Sequence, residues 1–178
     1  TIGDPAVRFA EDPVRMLRAV KFMSRLDLQA SPEVAAALRS SADLIQRSAP
    51  PRVLEEIYKL MTCGQAGRGL TMLLEAGLLE RLLPEVASYW QAHPEELAAT
   101  GRAVDHIDRG RRRLDNPMLL AALLRQPWRA RWQETPDADP AVVLENLLGE
   151  LPRRMNVPRR DQAILHHLLL TELRLEQP

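Results

Sequence analysis

The residue types best suited to chemistry stand near the start of the chain, in the run Glu11-Asp12-Pro13-Val14-Arg15, with Arg18, Phe22 and Arg25 following at helical spacing. Asp12 occupies the position of a helix N-cap, with Pro13 at the first helical position, where its missing N–H costs nothing. At about 100° per residue, Glu11, Arg15, Arg18, Phe22 and Arg25 share one arc of the helix, while Val14, Leu17, Val20 and Met23 turn toward a core. A carboxylate only accepts hydrogen bonds and a guanidinium only donates them. Side by side they match a base edge that offers an amino group next to a ring nitrogen. Adenine (N6 and N1) and cytosine (N4 and N3) present that edge. Guanine and uracil present an oxygen beside an N–H, which sets acceptor against carboxylate and donor against guanidinium. Asp12 with Arg15 is therefore predicted to accept A and C and to repel G and U, by the logic of groove readout strengthened by charge. On these residues alone, an ordinary cap with a first-turn ion pair accounts for the same pattern.

The elements that must position these groups are helices. Leu and Ala dominate, aromatic residues are scarce, and no stretch alternates for long with β-branched residues. The 14 prolines punctuate helices. Asp12-Pro13, Ser31-Pro32, Asn116-Pro117 and Asp139-Pro140 each place a capping side chain before a proline, and Pro51, Pro94 and Pro158 also start helices. The pattern predicts helices from Pro13 to Leu28 and Pro32 to Arg39, a helical turn at Asp43–Gln46, and a helix from Pro51 to Met61. Further helices are expected over Leu70–Ala76, stopped by Gly77, over Leu78–Leu83, ended by Pro84, and then over Pro94–Arg113, Pro117–Arg125, Pro140–Leu151 and Pro158–Glu176. Gly64–Gly69 reads as a loop, and Gln126–Asp139 as a polar mobile loop. The fold class is all-α, with about eight to ten helices.

Length and charge bound the rest. A chain of 178 residues buries one sizeable core or two small ones. Formal net charge is zero, so no global charge points to nucleic acid. The basic residues are nearly all arginine, with Lys21 and Lys59 the two lysines; arginine suits phosphate and base recognition. Cys63 is the sole cysteine, which excludes an internal disulfide and a thiolate metal cluster and fits a reducing cytoplasm. No apolar run approaches membrane-spanning length, so no membrane partner is expected.

Three arginine groups are candidates for RNA phosphates: Arg109 with Arg111, Arg112 and Arg113; Arg125, Arg129 and Arg131, interleaved with Trp128 and Trp132; and Arg153, Arg154, Arg159 and Arg160. Guanidiniums pair with phosphates and exposed indoles stack on unpaired bases, although Arg111 to Arg113 also suit the negative end of a helix. Asp137-Ala138-Asp139 resembles a metal-binding pair but reads better as a loop with Asp139 as an N-cap. His166 and His167 diverge by about 100° on a helix and cannot share a ligand. His106 reads as an exposed helix position and Cys63 as a packing residue. Glu55 and Glu56, spaced for pairs with Arg52 and Lys59, are expected to brace the helix that carries Arg15.

The run Ile2-Gly3-Asp4-Pro5, Arg8-Phe9, Glu11-Asp12-Pro13-Val14-Arg15-Met16-Leu17-Arg18-Ala19-Val20 resembles the neck of the class II tRNA nucleotidyltransferase/poly(A) polymerase superfamily. Pro50-Pro51-Arg52-Val53-Leu54-Glu55-Glu56-Ile57-Tyr58-Lys59-Leu60 and Gly77-Leu78-Leu79 with Leu83-Pro84-Glu85 extend the likeness, toward the bacterial poly(A) polymerase branch. The resemblance implies that Asp12 and Arg15 read the incoming base and that Glu11 holds Arg15, with Arg8 and Arg18 as weaker carry-overs. It implies a neck over residues 1–62 and an RNA-binding helical body over 63–178. It further implies a catalytic head, expected before Gly3, with a glycine-serine phosphate loop and paired aspartates for two Mg²⁺ ions. ATP would be the substrate, RNA 3′ ends the acceptor, and the N-terminal head an intramolecular partner. This chain alone is then expected to be inactive, with no metal site and no catalytic carboxylate of its own. CCA addition to tRNA is the alternative within the family, and a non-catalytic helical RNA-binding module the alternative outside it.

Overall fold

The structure, a computed structural model, describes residues 3–110 and 114–176. All regular elements among these residues are helical, and ten of the α-helices have seven residues or more. They are α1 (Pro5–Glu11), α2 (Val14–Arg25), α3 (Pro32–Ser41), a 3₁₀ turn (Ala42–Arg47), α4 (Pro50–Met61), α5 (Ala66–Glu75), α6 (Leu78–Leu82), α7 (Pro84–Ala92), α8 (Pro94–Arg109), α9 (Asn116–Gln133), α10 (Pro140–Leu148), α11 (Leu151–Arg154) and α12 (Arg159–Glu176). The all-α expectation holds. Among the described residues no helix is long and apolar enough to cross a membrane.

The apolar stripe of α2 is buried as its period predicts. Val14, Met16, Leu17 and Val20 are fully inside, against α4 and α5. Phe9 of α1 joins the same core, which continues through Leu60, Met61, Leu70 and Leu73 to Trp90 and Trp128. Caps at Ser31, whose hydroxyl accepts from Val34 N, and Asp139, whose carboxylate accepts from Ala141 N at 2.8 Å, are those the proline pattern indicated.

Several boundaries differ from expectation, each for a local reason. The first helix was expected at Pro13, yet α1 precedes it over Pro5–Glu11. Asp4 caps this helix by accepting from Ala6 N at 2.8 Å, with Pro5 in the first turn. Asp12 does not cap α2. Asp12 is extended (φ −147°, ψ 95°) and ends α1, and its carboxylate is taken by Arg52 of α4 instead of the first-turn N–H groups, so α2 starts at Val14 without a side-chain cap. A helix also occupies Pro84–Ala92, where Pro84 starts a new element after ending the last. The expected single helix over Pro140–Leu151 stops at Leu148 because Gly149 takes a positive φ of 47°.

The Gly64–Gly69 stretch is no loop beyond Gln65, because α5 begins at Ala66 and contains Gly67 and Gly69. Each glycine in a helix costs about 1 kcal/mol relative to alanine, and close packing offsets it. A Cβ on Gly101 of α8 would lie 2.3 Å from Gly67 Cα, and one on Gly67 would lie 2.7 Å from the Ala98 carbonyl oxygen. The two backbones touch. Asp105 of α8, buried, accepts from Ala66 N at 2.9 Å and so caps α5 from a different helix.

The expected mobile loop over Gln126–Asp139 is also corrected: α9 continues through Pro127 to Gln133. An interior proline costs roughly 3 kcal/mol, and burial of Trp128 opposes that cost. Trp128 is fully inside and its Nε1 donates to the Leu169 carbonyl oxygen of α12 at 3.1 Å.

Gly101→Ala is expected to destabilise the chain by about 1–3 kcal/mol through overpacking against backbone, read as a lowered thermal midpoint. Gly69→Ala should cost less, because its new Cβ would meet the movable end of Leu60.

Candidate nucleotide-reading face

The junction of α1 and α2 carries the residues singled out for base reading, with partners the spacing did not reveal. Glu11, in the last turn of α1, accepts from Arg8 Nη1 and from Arg15 Nη1, each at 2.9 Å. Arg15 Nη1 also donates to the Arg8 carbonyl oxygen at 3.4 Å. Glu11 thus holds Arg15 through one guanidinium nitrogen. The other donors of Arg15 lie outside these contacts, on a side chain 36% exposed.

Asp12 faces Arg52 of α4. Arg52 Nη2 lies 3.1 Å from one carboxylate oxygen and 3.3 Å from the other. Because an ionised carboxylate offers about four lone-pair sites, this contact orients Asp12 and still leaves accepting sites on its oxygens. Arg52 is a residue that reading the sequence for this site missed. It stands forty residues from Asp12 and only the tertiary fold joins them.

Below this pair sits Glu56 of α4, with a side chain 5% exposed. It accepts from Lys21 Nζ at 2.8 Å, from Arg18 Nε at 3.3 Å and from Lys59 Nζ at 3.5 Å. Burial pushes the Glu56 carboxyl up, but Lys21, with Lys59 and Arg18, outweighs it and holds the group below its ordinary value of 4.5. The expected bracing of the Arg15 helix by α4 is therefore present as an ion cluster, with Glu55 confined to Lys59 at 2.7 Å. Arg18, a candidate for nucleotide contact, spends its Nε on this cluster.

The structure thus brings Arg8, Glu11 and Arg15 together and ties Asp12 and Arg18 to α4. The arginines proposed for RNA lie on other helices. Arg109 ends α8 and donates to the Gly64 carbonyl oxygen at 3.1 Å. Arg131, exposed near the end of α9, is 3.5 Å from Glu134. Arg129 is partly buried on α9. Arg111, Arg112 and Arg113 lie outside the described residues. Two expectations are corrected here. Trp128 is core and cannot stack on a base, and Trp132 is half-buried with its Nε1 inside. Arg154 is a fold contact: its guanidinium grips Glu85 at 2.6 and 2.8 Å and the Leu82 carbonyl oxygen at 2.7 Å.

No group of three or more His, Cys, Asp or Glu among the described residues could hold a metal ion.

Comparison with known proteins bears on the motif. The family described as "Probable RNA and SrmB-binding site of polymerase A" matches residues 27–89. Poly(A) polymerase I of Haemophilus influenzae is 29% identical over 98% of this chain and 41% of its own length. The poly(A) polymerase I of Salmonella typhi is 28% identical over 99% and 40%. A CCA-adding enzyme of Levilactobacillus brevis is 46% identical over 43% of this chain and 19% of its own length.

The resemblance to the tRNA nucleotidyltransferase/poly(A) polymerase superfamily holds.

The chain spans about two-fifths of the length of the poly(A) polymerases it matches. The matched RNA-site region begins after α2, so Asp12 and Arg15 lie outside it.

Glu56→Ala should destabilise the chain by about 2–3 kcal/mol, since it strands Lys21, which is 16% exposed. The depressed carboxyl sets the sign of the pH dependence. Its stabilisation is present above the ordinary value of 4.5 and is lost as pH falls through the lower folded value. Chemical denaturation should show stability falling below about pH 4.5 in the native chain, with a shallower fall in Glu56→Gln.

Proposed function

We propose that this chain is the base-selecting and RNA-binding part of a template-independent polynucleotide adenylyltransferase, which adds AMP from ATP to RNA 3′ ends. The observation that carries this reading is the α1–α2 junction. There a half-buried guanidinium held by Glu11 stands three residues from a carboxylate oriented by Arg52. Arg15 donates to the ring nitrogen of adenine or cytosine, and Asp12 accepts from the exocyclic amino group. Neither side chain needs to be reorganised by the nucleotide, because Glu11 and Arg52 already restrain them. Guanine or uracil would meet this pair with donor facing donor and acceptor facing acceptor, which leaves desolvated polar groups unpaired.

In this reading residues 1–62 form the neck that reads the base, and 63–178 the body along which RNA lies. Arg109, Arg131 and the neighbouring arginines contribute phosphate contacts. Bond formation belongs to an N-terminal catalytic head, where Mg²⁺ ions are held and ATP places its phosphates. The residues described here supply selection and no catalysis. The names of the poly(A) polymerase I relatives, which align along nearly the whole chain, support adenylate addition. The higher identity to a CCA-adding enzyme over a shorter stretch supports the second reading, tRNA end repair, since A and C present the same edge.

The two readings separate in one assay on the full-length protein. A tRNA lacking its CCA end and a generic single-stranded RNA are each offered ATP, CTP or both. Long A tails on the generic strand are expected. Addition of C, C and A confined to the tRNA would replace poly(A) synthesis with end repair, and no addition to either strand would remove the nucleotidyltransferase reading.

A further inference from the structure

We propose that Phe22 is a base-stacking platform for the single-stranded RNA whose 3′ end is extended, placed on the same face of α2 as Arg15. This deepens the reading above and rests on it. Phe22 is 51% exposed on a helix whose other face is core. A large ring so placed would ordinarily be free to turn, but this one is held. Lys21 Nζ lies over the ring, 5.1 Å from its centroid, and the same ammonium is anchored to the buried Glu56 carboxylate at 2.8 Å. One face of the ring is covered by a fixed cation and the residue remains half-exposed. That is the geometry of a flat surface prepared for a second planar group.

The surroundings specify what that group belongs to. Arg8 and Arg15 share the one carboxylate of Glu11, while Arg18, Lys21 and Lys59 share Glu55 and Glu56. With the Arg52–Asp12 pair included, six cations against four carboxylates leave the face positive, and exposed Arg25 adds to it. A surface that combines surplus guanidinium charge with an exposed aromatic ring favours a strand carrying phosphates and unpaired bases. Phe22 lies seven residues from Arg15 on the same side of the helix, which at 1.5 Å per residue is about 10 Å. That distance corresponds to about three stacked nucleotides at 3.4 Å each. Arg15 then meets the incoming base and Phe22 a base already in the strand. Because every base has a π-face, the platform holds the strand without reading its sequence. Selection stays with Asp12 and Arg15.

The test measures binding of a fluorescent oligo(A) to the chain by anisotropy at low salt, with Phe22 replaced by Ala, Leu or Trp. Phe22→Ala should weaken binding about five- to fifty-fold. Phe22→Leu should weaken it comparably, since it keeps apolar bulk but loses the ring. Phe22→Trp should bind at least as tightly as the native chain, and its added fluorescence should be quenched by oligo(A) but not by an abasic strand. Native-like affinity in Phe22→Leu would overturn the proposal and mark the patch as an apolar contact for a protein surface. Equal quenching by the abasic strand would also overturn it. Failure here is distinct from failure of base reading. An Asp12→Ala enzyme with relaxed nucleotide choice, alongside native-like binding by Phe22→Leu, would remove the platform and keep the reader. Absence of RNA binding by the native chain would remove both.

Discussion

One buried carboxylate fixes the geometry on which the candidate site depends. Glu56 reaches from α4 into three cations, two of them on α2, and fixes how those helices lie together. A carboxylate in such a position is costly to desolvate and stays charged only because its partners are close. Its depressed pKa is the consequence. The same element, α4, sends Arg52 to Asp12 one turn earlier. A single helix therefore sets both the orientation of α2 and the orientation of the carboxylate in front of it. If α4 shifted along α2, the cluster and the Asp12 contact would be lost together.

The second constraint is the backbone contact between α5 and α8. Gly67 and Gly101 let these helices approach until no side chain fits between them, and Asp105 closes the N-terminus of α5 from across the interface. Because α5 also packs on α2 and α4, this contact supports the candidate face from behind and couples α8 to α2 and α4 through packing.

Much of this was legible in the sequence. The apolar period of α2, the helices capped at Ser31 and Asp139 before their prolines, and the arc holding Arg15, Arg18 and Phe22 are local properties of the chain and appear as expected. The Asp12 carboxylate, by contrast, caps no helix, and Asp115, not Asn116, caps α9. The losses have a common cause. Asp12 looked like a cap because an acidic residue before proline is the usual cap signal, but Arg52, forty residues on, takes its carboxylate instead. Gly67 and Gly69 looked like a loop because glycine is a poor helix former, and only the partner helix explains them. Trp128 looked available for bases because it lies among arginines, whereas its burial is decided by α12. In each case the deciding partner lies tens of residues away, where periodicity and capping carry no information.

The central claim is that Asp12 and Arg15 choose the base. It is tested most directly by comparing incorporation of ATP, CTP, GTP and UTP into an RNA primer by the full-length protein, native and Asp12→Ala, with helical content checked by circular dichroism. The account predicts that the native protein favours A or C over G and U, and that Asp12→Ala keeps its fold but narrows that preference about tenfold or more, the effect of losing a discriminating contact of roughly 1–3 kcal/mol. A folded Asp12→Ala protein with undiminished preference would contradict it.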